Sequence, residues 1–219
     1  MESRCAWLKM TRYVALLLFI LSSGCATAPM SAPAKVIRED RPRMLFIGSS
    51  SIFFWKTMEQ DFADVPGTIL RNGRGSRTMA DIAAHVQDEI IETHPDKVLI
   101  YAGSIDLHDH DRTPQEVFDD FVGLCDAVHH VLPETPVYFI SCKPSIAKWE
   151  GIELDQQLNA MVRTLAEREK DIVYIDVWNP MLDFDGQPVE MFFAKDKNHL
   201  SKEGYKLWTR LIRPYLLSS

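Results

Sequence analysis

The sequence predicts an α/β domain: a parallel five-stranded sheet with helices on both faces. Three observations carry this. Short apolar, β-branched runs alternate with segments of helical period from about residue 43 to 217. The runs are continuously apolar, as strands covered on both faces are. Glycine and hydroxyl-rich turns follow the strands, at the ends where open parallel sheets build their sites. No internal repeat is visible.

The elements follow in order. Met44-Leu45-Phe46-Ile47 reads as the first strand, and Gly48-Ser49-Ser50-Ser51 as the turn after it. Residues 52–62 are mixed apolar and partly helical in pattern. Thr68 to Arg71 is a second strand, closed by Asn72-Gly73-Arg74-Gly75-Ser76. Ile82, Ala83, Val86, Ile90 and Ile91 have helical spacing and predict a helix over 78–93, broken by Pro95. Lys97 to Ala102 is the third strand, ended by Gly103. Thr113, Pro114 and Glu116 form a helix start with a capping box. That helix runs to about Leu132 and buries Val117, Phe118, Phe121, Leu124, Val128 and Val131. Pro136 to Ser141 is the fourth strand, 152–169 a helix, and Ile172 to Asp176 the fifth strand. Ser201 caps a last helix through Leu217, ended or kinked near Pro214.

The chain has 219 residues, enough for one domain plus a leader, and 46% hydrophobic residues, enough for a real core. Its net charge is −7. Residues 1–24 hold three basic residues and one acidic one, which leaves −9 on the remainder. That balance argues against a nucleic-acid surface. It suits a soluble enzyme and does not choose a substrate.

Residues 1–24 read as an export signal. Arg4, Lys9 and Arg12 form a basic start, and residues 13–21 an apolar run too short to span a bilayer as a mature helix. Ser22-Ser23-Gly24-Cys25 resembles a bacterial lipobox, with Ser22 where leucine is usual. Cys25 is therefore the expected lipidation site. Ala26-Thr27-Ala28 offers a competing cleavage site that gives soluble periplasmic export. Residues 25–42, rich in Ala, Pro and charge, read as a tether, and 43–219 as the domain. Cys125 and Cys142 are expected to stay unpaired. One sits mid-helix and the other at a strand's far end, about 10 Å away across the sheet–helix gap.

The chemistry rests on residues far apart in the chain. A strand that gives way to glycine and serines can expose a serine nucleophile. Asp196-x-x-His199 supplies a base and an acid to orient it. Asp106 to Asp111 interleaves carboxylates and imidazoles, and reads as a solvated loop with Asp106 structuring a turn; no metal is expected there. His129-His130 suits a helix C-terminus. The tryptophans read as core or groove walls; Trp149 is the candidate among them to touch substrate, with core or surface packing its first reading.

These blocks resemble the SGNH (GDSL-type) serine esterases over the whole domain. Gly48-Ser49-Ser50 is similar to the first family block and implies Ser50 as nucleophile, with Ser51 the alternative on spacing. Arg71 to Ser76 is similar to the second and implies Gly75 as an oxyanion donor beside the Ser50 N–H. Asp196 to Leu200 is similar to the last. Ser141-Cys142-Lys143-Pro144-Ser145 resembles a stretch of one family branch. The resemblance implies a flavodoxin-like α/β/α sandwich, a Ser50–His199–Asp196 triad, an acyl or acetyl ester substrate and no cofactor. One block departs: where the family has Gly-x-Asn-Asp, this chain has Gly103-Ser104-Ile105-Asp106. Ile105 cannot donate the hydrogen bond of that asparagine. Asn72, Ser76 and Ser104 are candidate substitutes. The departure admits a second class, a non-catalytic envelope protein that binds a glycan or lipid on the same fold.

Overall fold

The computed structural model describes residues 41–218. The leader, Cys25 and most of the tether lie outside the described residues. Five parallel strands form one sheet: β1 (Arg43–Gly48), β2 (Thr68–Gly73), β3 (Lys97–Tyr101), β4 (Val137–Ile140) and β5 (Ile172–Ile175). Their spatial order is β2-β1-β3-β4-β5, the doubly wound order of flavodoxin-like sheets. Among the described residues, eight α-helices accompany them: α1 (Ser50–Phe53), α2 (Met58–Asp61), α3 (Met79–Ala84), α4 (Val86–Glu89), α5 (Ser104–Asp109), α6 (Pro114–Val131), α7 (Ile152–Ala166) and α8 (Lys202–Leu217).

Strand periodicity sorts the core into two layers, because successive side chains point to opposite faces. Met44, Phe46, Leu99, Tyr101, Tyr138 and Ile140 face one layer with Trp55, Trp208 and the apolar side of α8. Leu45, Ile47, Val98, Ile100, Val137 and Phe139 face the other with α3, α6 and α7. Both faces are covered by apolar side chains, so the strands need no polar alternation.

Several boundaries differ from the expectation. β2 runs two residues further, to Gly73. The expected helix over 78–93 is three pieces: α3, α4 and a 3₁₀ turn at Ile91–Thr93. It breaks at His85, whose ring Nδ1 is 2.8 Å from the Asp81 carbonyl and so takes the acceptor of the helix turn. Val131 is 48% exposed, not buried. Residues 104–109 form α5 instead of a solvated loop, and Asp106 is fully buried. Its two oxygens accept the Met79 N–H at 3.0 and 2.9 Å, which anchors α3 to α5. Burial pushes the Asp106 carboxyl pKa up. Helix α8 passes through Pro214 to Leu217. The proline removes one hydrogen bond within the last two turns, and buried Ile212 and Leu216 on either side hold them in place. Cys125 and Cys142 are buried free thiols, as expected.

The strand order reverses direction between β1 and β3, and the crevice beyond their C-terminal ends is where such sheets place a site. Two glycines let the chain come close there. A Cβ on Gly48 would lie 2.2 Å from the Tyr101 carbonyl oxygen, and one on Gly73 would lie 2.3 Å from the Phe53 nitrogen. The neighbours are backbone and cannot swing aside. Gly73→Ala is therefore expected to lower stability by about 1–3 kcal/mol. Urea unfolding checks it: an unchanged midpoint would mean that α1 does not rest on β2 as described.

Candidate active site

The serine turn is built by β1. Its last residues are buried, and Gly48 leads into Ser49, whose N–H donates to the Tyr101 carbonyl at 3.0 Å. Ser49 is extended and caps α1, so Ser50 and Ser51 open that helix. The two candidate serines then part. Ser51 is fully buried, with 0% exposure, while Ser50 is half-buried at the sheet edge. Of the two, only Ser50 is open to solvent. The Ser50 N–H stands at the first position of α1, where no intrahelical acceptor exists.

The glycine turn after β2 is tied to the serine turn. The Arg74 N–H donates to the Gly48 carbonyl at 3.0 Å, which brings Gly75 beside it. Gly75 is exposed, and a Cβ there would meet nothing within 4 Å. Ser76 has φ of 54°, a left-handed conformation in which glycine is the easier residue. Asn72 is already engaged: its carbonyl and Oδ1 both accept from Arg77 Nη1 at 3.2 Å. The Ser104 carbonyl lies 3.5 Å from Lys148 Nζ. Ile105, at the start of α5, is half-buried and presents only carbon.

Asp196 and His199 lie on the loop before α8, with Lys197 left-handed at φ 59°. Asp196 Oδ1 accepts the N–H groups of Asn198 and His199 at 3.0 and 2.9 Å. Its Oδ2 accepts from His199 Nδ1 at 2.6 Å. The hydrogen bond from His199 leads in holding the Asp196 carboxyl down at about 2, and the two backbone donors add to it. With Nδ1 donating to the carboxylate, the imidazole's lone pair lies on Nε2. The loop meets the serine turn through Phe54, whose ring stands edge-on to the His199 imidazole at 4.9 Å between centroids. The Phe54 N–H donates to the Ser50 carbonyl at 2.8 Å.

The Ser-Cys-Lys-Pro-Ser stretch has a role that spacing alone did not reveal. Ser145 Oγ donates to Asn198 Oδ1 at 2.9 Å, and the Ala147 N–H donates to the Lys197 carbonyl at 3.1 Å. These bonds splint the loop that carries Asp196 and His199. Ser141 Oγ accepts the Val177 N–H at 3.0 Å, which joins β4 to the segment after β5. Lys143 is buried, donates to the Tyr101 hydroxyl at 3.2 Å, and has its pKa pushed down to about 8, chiefly by burial. His108 is 2.5 Å from buried Asp155, and Asp109 pairs with Lys148. The acidic and imidazole run of 106–111 thus spends three side chains on structural contacts. Among the described residues no group of three or more His, Cys, Asp or Glu could hold a metal ion. His129 Nε2 is 3.1 Å from the Thr135 carbonyl, an interaction that fastens the end of α6. Trp55 and Trp208 are core, Trp178 is 6% exposed, and Trp149 is half-buried after a 3₁₀ turn at Ile146–Lys148.

Comparison with solved structures places the fold. A GDSL-like lipase from Bacteroides thetaiotaomicron superposes with a TM-score of 0.70 at 20% identity, covering 80% of this chain and 87% of that one. The lipase/acylhydrolase from Enterococcus faecalis gives 0.68 at 18%, covering 80% and 95%. A family 3 carbohydrate esterase from Clostridium thermocellum gives 0.62 at 16%, covering 80% and 96%. No curated protein sequence matches the chain. A family model does match, over residues 53–207, taking in the glycine turn, the Ile105 block and the Asp196–His199 loop while starting three residues after Ser50. The chain belongs to the GDSL-like lipase/acylhydrolase family.

Proposed function

We propose that this protein hydrolyses an acyl or acetyl ester through Ser50, His199 and Asp196. The observation that carries the reading is the 2.6 Å bond between His199 Nδ1 and Asp196 Oδ2, on a loop packed through Phe54 against the turn that exposes Ser50. Ser50 Oγ attacks the ester carbonyl while His199 Nε2 takes its proton. The N–H groups of Ser50 and Gly75 receive the oxyanion. The carbon–oxygen bond to the alcohol then breaks, and His199 returns the proton to the departing alkoxide. Water repeats the cycle on the acyl-serine and releases the acid. Asp196 stays charged throughout and holds the imidazole in one tautomer. No cofactor enters this sequence. The lipase and carbohydrate-esterase relatives agree with an ester substrate. The protein acts in a bacterial cell envelope, exported by residues 1–24 and held to the membrane through lipidated Cys25, or released to the periplasm by cleavage at Ala26-Thr27-Ala28.

Ile105 favours a second reading, a fold retained for binding glycan or lipid without turnover. A serine-directed fluorophosphonate separates the two. Labelling of the purified protein that disappears in Ser50→Ala supports the hydrolase. Folded protein that takes no label supports the binder.

A further inference from the structure

An open groove of about 270 Å³, walled by Phe54, Lys56, Asp61, Lys202, Tyr205 and Lys206, reaches the Asp196–His199 loop through Phe54. It is large enough for a sugar or a glycerol-sized group. Two of its walls are fastened to the serine segment. Phe54 bonds the Ser50 carbonyl and packs on His199, and the Tyr205 hydroxyl donates to the Ser51 carbonyl at 2.9 Å.

The groove's charge runs against that of the molecule. The chain is −7, yet three ammonium groups meet here against one carboxylate. That carboxylate, Asp61, already accepts from Trp55 Nε1 and Thr57 Oγ1, each at 2.7 Å. Lys206 is paired with Glu203 just outside, at 2.8 Å. Lys56 lies 4.0 Å over the Phe53 ring, and among the described residues neither it nor Lys202 forms an ion pair. Two exposed, uncompensated cations flanking an aromatic wall attract an anion.

We infer that this groove binds the alcohol limb of the ester, and that this limb carries a carboxylate or phosphate. The inference rests on the esterase reading above. His199 must hand its proton to the departing alkoxide, so the alcohol leaves on the imidazole's side. Phe54 is shared by that imidazole and the groove. The ring wall takes the limb's carbon skeleton, and Lys56 and Lys202 take its charge.

The test uses a matched pair of acetyl esters, 4-acetoxybenzoate and its neutral methyl ester, each rate divided by spontaneous hydrolysis. The full-length protein is expected to prefer the anionic ester in kcat/KM. The Lys56→Gln/Lys202→Gln protein should lose about tenfold of that preference, the scale of two exposed charge contacts. Salt at 1 M should erase it in the parent as well, since screening then acts within about 3 Å. Competition assigns the source of the anion: inhibition by glycerol 3-phosphate points to a lipid headgroup, and inhibition by glucuronate to an acidic carbohydrate. If both esters are hydrolysed with a ratio that neither the double variant nor salt changes, the groove assignment is wrong and the esterase reading stands. If neither ester is hydrolysed and the fluorophosphonate does not label, the esterase reading itself fails and the assignment falls with it.

Discussion

The Asp196→Asn protein should hydrolyse a short-chain acyl ester about 10⁴-fold more slowly than the parent while keeping its fold. The cause is a tautomer. Asp196 Oδ1 accepts two backbone N–H groups, from Asn198 and His199. An asparagine must keep its carbonyl oxygen there, because an amide NH₂ would oppose two donors. Its NH₂ then faces His199 Nδ1, which has to become the acceptor. The imidazole proton moves to Nε2, the nitrogen that should receive the proton of Ser50. Circular dichroism should be unchanged, and fluorophosphonate labelling should slow in proportion to hydrolysis. A loss of less than tenfold would mean that Asp196 only shapes the loop.

The same carboxylate has a pH signature. Its folded pKa, about 2, lies below the ordinary 3.8. A depressed carboxylate contributes stability that is full above its unfolded value and is lost as pH falls through the folded one. The stability difference between parent and Asp196→Asn should therefore be constant above about pH 4 and shrink between about 4 and 2. Asp196 is half-exposed, so the difference is small, but its direction is fixed.

What the sequence made legible was local. Thr113 and Glu116 cap α6 reciprocally three residues apart, and both sides of that box are present. Asp196 and His199 are also three apart, so a turn alone brings them together. The parallel sheet followed from the alternation of strands and helices. The illegible features depend on partners far along the chain. Asp106 looked like a loop carboxylate because its acceptor role is set by Met79, 27 residues earlier. Ser145 looked like part of a borrowed pattern until Asn198, 53 residues on, supplied its bond. The break at His85 comes from a side chain competing within its own helix turn, which hydrophobic spacing cannot register. The basic groove was invisible for a long-range reason: Lys56 and Lys202 line one groove only because α8 returns across the serine turn.

Ile105→Asn is expected to raise kcat for short-chain esters by about 10²–10³-fold, with KM little changed. An oxyanion donor acts on charge that appears only in the transition state, and one such donor is typically worth that factor. The position is ready for it. Gly103, at φ 118°, turns the chain out of β3, and Asp106 pins the first turn of α5 by its bonds to Met79. An amide at 105 would therefore sit on a backbone already held, at the edge where the Ser50 and Gly75 N–H groups lie. Asparagine is smaller than isoleucine, but the site is only half-buried and the space vacated is open to solvent, so the exchange leaves no sealed cavity. Ser50→Ala placed on the same protein must abolish the gain, which ties it to the serine and excludes an unrelated hydrolysis. An Ile105→Asn protein that is folded, labels no faster and turns over no faster would show that this chain completes its oxyanion site with another group, or that the site does not work by acyl transfer.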